Sequence, residues 1–318
     1  MKRVLVVTPW SGGFVDVQVG LLRDAGHDVE VMKIAVTRGP RWWVTAWAML
    51  QGFVRGSSGS GNAKPDVVHA YSAWPAGVAG LAIAESLGRP LVVHEHLSPP
   101  ERLRRLPLAV RVLEDCDRIL SPSLRHAQAV SAIASQRHVE VVPNPVTVEW
   151  PSMWSSAGSS RVVCLGRLED QKGFDRIAMA SRYAEDLTFY FIGTGSQEKR
   201  LRSLVNGNAV FVKPVSHDRA MKWLRSADVV ACPSRHESFG IVAAEAAALG
   251  KPVVATDVGC HAEVATEVLP QSASPCEWAS AIKRATQSSR MPRRTSGSTP
   301  GAFVATMERM YDFASADE

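Results

Sequence analysis

The chain has 318 residues, of which 46% are hydrophobic and 21% charged, and a net charge of +5. That length exceeds one ordinary core and predicts two domains facing a cleft, while the composition excludes a disordered majority. The arginines are spread without basic runs interleaved with exposed aromatics, which argues against nucleic acid and for small anionic ligands.

In chain order, RVLVVTP (3–9) reads as a buried parallel strand, followed by the turn WSGG, a helix through VDVQVGLLRDAGH that ends at Gly26, and a second strand DVEVM. This βαβ opening begins at Met1, leaving no room for a signal segment ahead of it, so a cytoplasmic setting is expected. Five cysteines (Cys116, Cys164, Cys232, Cys260, Cys276) without a C-x-x-C pair fit the same reducing compartment. WWVTAWAMLQGFV (42–54) is too short to span a bilayer and is interrupted by Gln51, and RGSSGSGNAKP (55–65) reads as a flexible loop.

The alternation resumes with DVVHAY, AGVAGLAIAESLG, PLVVHEH, a helix through RLPLAVRVLEDC, the strand DRILSPS, a further helix and the short strand VEVVPN. Residues 1–150 thus predict one doubly wound domain. PSMWSSAGSS (151–160) breaks the periodicity as a linker should. A second series then runs through RVVCLGRL, a helix near 174–184, LTFYFIG, a helix near 197–205, AVFVKPV, a helix near 217–226, DVVACPS, an alanine-rich helix and PVVATD. It predicts a second Rossmann-like domain over 160–300. Ser288–Gly301 is rich in Ser, Arg and Pro, and AFVATMERMYDF predicts a closing helix within 301–318 that packs back on the first domain.

In an open parallel sheet, ligands bind beyond the carboxyl ends of the strands. RHESFGI follows such an end, and the amides of Ser238, Phe239, Gly240 and Ile241 open a helix, with Gly240 permitting close approach. Glu237 sits at the loop edge. Glu245 lies one turn inside an otherwise apolar helix, where a carboxylate can accept from the two hydroxyls of a ribose; as a lone acid in a buried helix it needs a partner. Arg167 and Lys172, on the loop leaving the first strand of the second domain, supply the charge that a diphosphate needs.

These segments, GRLEDQKG, FIGTGSQEKRL, VVPN and SRHESFGIVAAEAAALGKPVVATDVG, together resemble the retaining glycosyltransferases of family four, which have the GT-B fold. The resemblance spans nearly the whole chain, and the glutamate pair Glu237 and Glu245 is that family's signature. It implies that Arg167 and Lys172 hold the donor diphosphate, Glu245 the ribose and Glu237 the transferring sugar. Val215 is then expected beside the base, and Gly193 and Gly195 at a close backbone approach. In the first domain, Gly12 and Gly13 resemble the family's glycine-rich acceptor-side loop and are grouped with the donor-binding set, and His96 aligns with a histidine near the donor sugar, with His94 on the same face. The catalytic set is His96, Glu237, Arg167 and Lys172.

The chain departs from the family pattern at Tyr71, where a histidine two residues after His69 is usual, and at Pro145 and Cys260, where glycine is usual. Asp115 and Asp117 form the D-x-D used by metal-dependent transferases of another fold, but they fall at a helix end and read as structural. No metal and no cofactor are expected.

The implied function is transfer of a sugar from a UDP- or GDP-sugar to a small-molecule acceptor (hydroxyl, amine or thiol), with specialised-metabolite biosynthesis as one setting. The rivals are a lipid- or glycan-acceptor transferase at a membrane surface, a nucleotide-sugar epimerase of the same fold, and a non-catalytic binding protein. Membrane contact through 42–54 and ERLRRLPLAVRVL is left open and not favoured, since Trp and Leu at helical spacing are more often core.

Overall fold

The computed structural model describes residues 1–10, 13–34, 64–97, 99–146, 160–287 and 299–312. The aromatic stretch 42–54, the linker 151–159 and Gly12 lie outside them. The chain divides into two compact units, Met1–Pro145 with Gly297–Glu318, and Val146–Ser296.

The first unit carries β1 (Arg3–Thr8), α1 (Phe14–Asp24), β2 (Asp28–Lys33), β3 (Val67–Tyr71), α2 (Val78–Leu87), β4 (Leu91–His94), α3 (Pro107–Asp115), β5 (Arg118–Ser121), α4 (Leu124–Ser131) and β6 (Val139–Val141). Its six strands pair in the order β2-β1-β3-β4-β5-β6, parallel throughout. Strands covered on both faces need apolar side chains at consecutive positions, and alternation then sorts them. Leu5, Val7, Val68, Ala70, Leu91 and Val93 meet α2, α3 and α4. Val4, Val6, Val67, Tyr71 and Val92 meet α1 on the other face.

The closing helix α11 (Pro300–Asp312) shares that second face, burying Phe303, Met307, Met310 and Tyr311 at helical spacing. Polar ties reinforce it: the Tyr311 hydroxyl lies 2.8 Å from His69 Nδ1 and Lys2 Nζ 3.5 Å from Asp312.

The second unit carries β7 (Arg161–Leu165), α5 (Phe174–Ala180), β8 (Thr188–Ile192), α6 (Glu198–Leu204), β9 (Ala209–Val212), α7 (His217–Ser226), β10 (Val229–Cys232), α8 (Ile241–Ala248), β11 (Val253–Thr256), α9 (His261–Val264), β12 (Glu267–Leu269) and α10 (Pro275–Gln287). Its strand order is β12-β11-β10-β7-β8-β9, again parallel. Trp278, Ala281 and Ile282 of α10 cover one face with α5, while Ala243, Ala244 and Ala247 of α8 cover the other with Leu224 of α7.

Candidate functional site

In the second unit the chain runs outward from β7 through β8 to β9, then crosses back to lay β10 on the other side of β7. Connections therefore leave β7 and β10 in opposite directions, and a crevice opens beyond their carboxyl ends. The loop after β7 carries Arg167 and Lys172, and the loop after β10 carries Glu237. They meet there: Lys172 Nζ lies 2.5 Å from Glu237 Oε1, and the Ser234 hydroxyl donates to the same oxygen at 2.9 Å. Burial alone would raise the Glu237 carboxyl, but the charge and hydrogen bond of the Lys172 ammonium, with the Ser234 hydroxyl, hold it below the ordinary carboxylate range. Arg167 is exposed, and among the described residues its side chain makes no hydrogen bond or ion pair.

A second set of polar residues fixes the Glu237 loop. Arg235 forks onto Asp175 at 2.9 and 2.8 Å and also donates to the Asp170 carbonyl at 2.8 Å. Arg176 donates to the Pro233 carbonyl at 2.7 Å, and the Ser234 carbonyl accepts from Thr256 at 2.5 Å. Sequence reasoning passed over Arg235 and Asp175. The available signal was an acid in FDRIAMA, an otherwise largely apolar first turn, where a nearly buried carboxylate needs a cation.

Gly240 ends that loop at φ 97° and caps α8, and its carbonyl accepts from Ala243 and Ala244 at 3.0 and 3.2 Å. The Phe239 side chain turns into the core and its carbonyl accepts from Cys260 N–H at 2.7 Å, while Ser238 stays half-buried. The first-turn N–H groups of Ile241 and Val242 have no acceptor within the helix and face outward from its positive end.

Glu245 lies one turn further in and is 7% exposed. The expected partner is not a close one: among the described residues the imidazole of His217 comes nearest in an ion-pair sense, Nδ1 3.9 Å from Oε1 on an exposed side chain. Burial instead penalises the carboxylate form and pushes the Glu245 carboxyl up to about 7.

The glycines after β8 have a backbone reason. A Cβ on Gly193 would stand 2.0 Å from the Gly166 carbonyl oxygen and one on Gly195 2.4 Å from that of Leu168, so the turns after β7 and β8 press backbone on backbone. Val215, half-buried ahead of α7, packs on the core behind β7 and β10.

In the first unit, His96 stands just past the end of β4, 7% exposed, with its ring 4.5 Å from Phe14, 4.2 Å from His94 and 6.1 Å from Trp10. Burial lowers its pKa, so the ring is a neutral imidazole, and its Nε2 has no hydrogen-bond partner among the described residues. His94 is wholly buried. Gly13 takes φ 66° as the cap of α1, with open space where a Cβ would stand.

Glu95 was not singled out from the sequence. It is fully buried and accepts from Ala73 N–H and Leu97 N–H, both at 2.6 Å, which ties the His96 turn to the end of β3. The D-x-D carboxylates have local partners: Asp115 pairs with Arg111 at 2.9 Å and Asp117 accepts from Leu91 N–H at 2.7 Å. No cluster of three or more metal-ligating side chains is present among the described residues.

The model of Glycosyltransferase Family 4 matches residues 2–150, and that of Glycosyl transferases group 1 matches residues 159–288. A D-inositol 3-phosphate glycosyltransferase of Arthrobacter sp. is 31% identical over 231 residues, 61% of this chain and 55% of that protein. The chain thus spans little more than half the length of that curated relative. Among solved structures, sucrose-phosphate synthase from Thermosynechococcus elongatus superposes with a TM-score of 0.81 at 16% identity, covering 100% of both chains. Anabaena HepE, solved in complex with UDP and glucose, gives 0.72 at 17% identity, covering 98% of this chain and 99% of that one. At such identities the likeness establishes the fold, and no helix among the described residues is long and apolar enough to cross a membrane.

Proposed function

Because this chain belongs to the family-four glycosyltransferases of GT-B fold, we propose that it moves a sugar, with retention, from a UDP- or GDP-sugar to a small-molecule acceptor. The observation that carries this reading is the meeting of Lys172 and Glu237 beyond the carboxyl ends of β7 and β10, beside the outward amides of α8. Lys172, exposed Arg167 and those amides form a positive field for a diphosphate, and Glu245 offers acceptor oxygens to a ribose. A structural neighbour that binds UDP and glucose supports UDP as the first nucleotide to try.

In the proposed reaction the bond between the anomeric carbon and the diphosphate oxygen breaks, and the diphosphate keeps the electron pair. The acceptor atom bonds to the same face of that carbon and gives its proton to a phosphate oxygen. The rising charge on the leaving group is the main thing to stabilise, which is the work assigned to Arg167, Lys172 and the α8 amides. Glu237, held ionised, takes hydroxyls of the sugar, and His96, a neutral imidazole, is assigned as a further catalytic residue.

The test is a screen of UDP- and GDP-sugars against small hydroxyl, amine and thiol acceptors, read by mass spectrometry. A product heavier than its acceptor by one glycosyl residue, with nucleoside diphosphate released in equal amount, is expected. Donor consumed without acceptor into an isomer of unchanged mass would make the chain an epimerase.

A further inference from the structure

Resting on that donor site, we infer that His261 is a specificity residue whose Nε2 accepts a hydrogen bond from a hydroxyl of the donor sugar. No role for this residue follows from the glutamate pair or from the basic residues. It is 1% exposed, and its Nδ1 lies 3.0 Å from the Thr256 carbonyl oxygen. A carbonyl only accepts, so Nδ1 carries the ring proton and Nε2 presents a lone pair. Burial keeps the ring neutral, with the charge of Glu237 pulling the other way.

That lone pair has no hydrogen-bond donor among the described residues, and it stands over Gly240, where an added Cβ would come within 2.5 Å of it. His261 and Gly240 line one narrow cavity with Lys172, Ser234 and Glu237. Within it Lys172 and Ser234 both donate to Oε1 of Glu237, which leaves Oε2 without a donor among the described residues.

Two acceptors without donors therefore share a cavity roofed by the start of α8. Water or an O–H-rich ligand satisfies them, whereas a phosphate, which brings only acceptor oxygens at neutral pH, does not. The chemistry selects the hydroxyls of a sugar rather than the diphosphate, and it places the sugar's polar edge against His261 and Glu237. Gly240 is what lets the imidazole reach that position, since any side chain there would fill it.

The experiment compares nucleoside diphosphate with sugar nucleotide, UDP against UDP-glucose and GDP against GDP-mannose, by calorimetry on the wild type, H261N and H261Q. Asparagine keeps a donor for Thr256 and removes the acceptor at the Nε2 position; glutamine returns an amide oxygen near it. Wild-type protein is expected to bind one sugar nucleotide more tightly than its nucleoside diphosphate. H261N should lose about tenfold of that sugar increment with the nucleoside diphosphate affinity unchanged, and H261Q should recover part of it. If H261N melts more than a few degrees below the wild type, its intact binding of the nucleoside diphosphate serves as the folding control. A sugar increment that is absent in the wild type, or that survives intact in H261N, overturns the assignment of His261. Failure of the wild type to bind either nucleotide instead overturns the donor site on which it rests.

Discussion

Lys172 and Glu237, 65 residues apart in sequence, form an ion pair at 2.5 Å beyond the ends of neighbouring strands β7 and β10. The cation nominated for the diphosphate thus already touches the carboxylate nominated for the sugar. An arriving donor needs only to place its phosphate on the open side of Lys172 for the ammonium to serve both.

Lys172→Met leaves Glu237 buried without its main compensating charge, and a stability loss of about 3 kcal/mol is expected at pH 7. The sign with pH follows from the lowered carboxyl: its stabilisation is present above the ordinary carboxylate pKa and is lost as pH falls through the folded value. Denaturation of the wild type, Lys172→Met, Glu237→Gln and the double variant checks this. The double variant should be more stable than Lys172→Met alone, and strictly additive losses would dissolve the pair.

Glu245 behaves oppositely. Its carboxyl is ordinarily near 4.5 and lies at about 7 in the fold, so its contribution is full below 4.5 and is lost as pH rises through 7. The wild type should lose about 3 kcal/mol of stability over that window, and Glu245→Gln should flatten the slope. The same change should weaken donor binding by about 1.5–3 kcal/mol, since the amide lacks the charge-assisted bonds to a ribose. Nucleotide binding near pH 7 should release a proton, visible in calorimetry as a heat that depends on the buffer.

The alternation of the chain was legible because parallel strands buried on both faces read as continuous apolar runs, and the helix over 217–226 coincides with α7. Helix α10 was passed over although its start is marked: Ser274 and Glu277 form a reciprocal cap, with Ser274 N–H to Glu277 at 2.7 Å and Glu277 N–H to Ser274 at 3.3 Å. The residue types of the site were legible from spacing on one loop and one helix. Its electrostatics were not, because the contrary shifts of Glu237 and Glu245 depend on Lys172 arriving from another strand and on how deeply each acid is buried.

Gly240→Ala should cost about 2–3 kcal/mol, combining a φ of 97° with a methyl placed 2.5 Å from His261 Nε2. Thermal melting gives the answer, and a shift of less than a degree would mean that the imidazole moves aside freely.

His96→Ala should leave nucleoside diphosphate affinity within about twofold, since every residue nominated for the diphosphate and ribose stands in the second unit, and should lower turnover by about a hundredfold or more. Full turnover in the variant would remove His96 from the reaction and leave its tilted ring contacts with Phe14 and His94 as packing.

The loop after β7 and the start of α8 build the diphosphate site, and Arg167 tests it most directly because its exposed side chain makes no hydrogen bond or ion pair among the described residues and acts on its neighbours only through a weak, solvent-screened pull on Glu169. UDP and GDP are titrated by calorimetry into the wild type and Arg167→Ala, with a chelator present throughout. One nucleotide should bind the wild type in chelator and bind Arg167→Ala about tenfold or more weakly at unchanged melting temperature. Absence of binding to the wild type, its loss on adding chelator, or equal affinity in the variant would contradict the account.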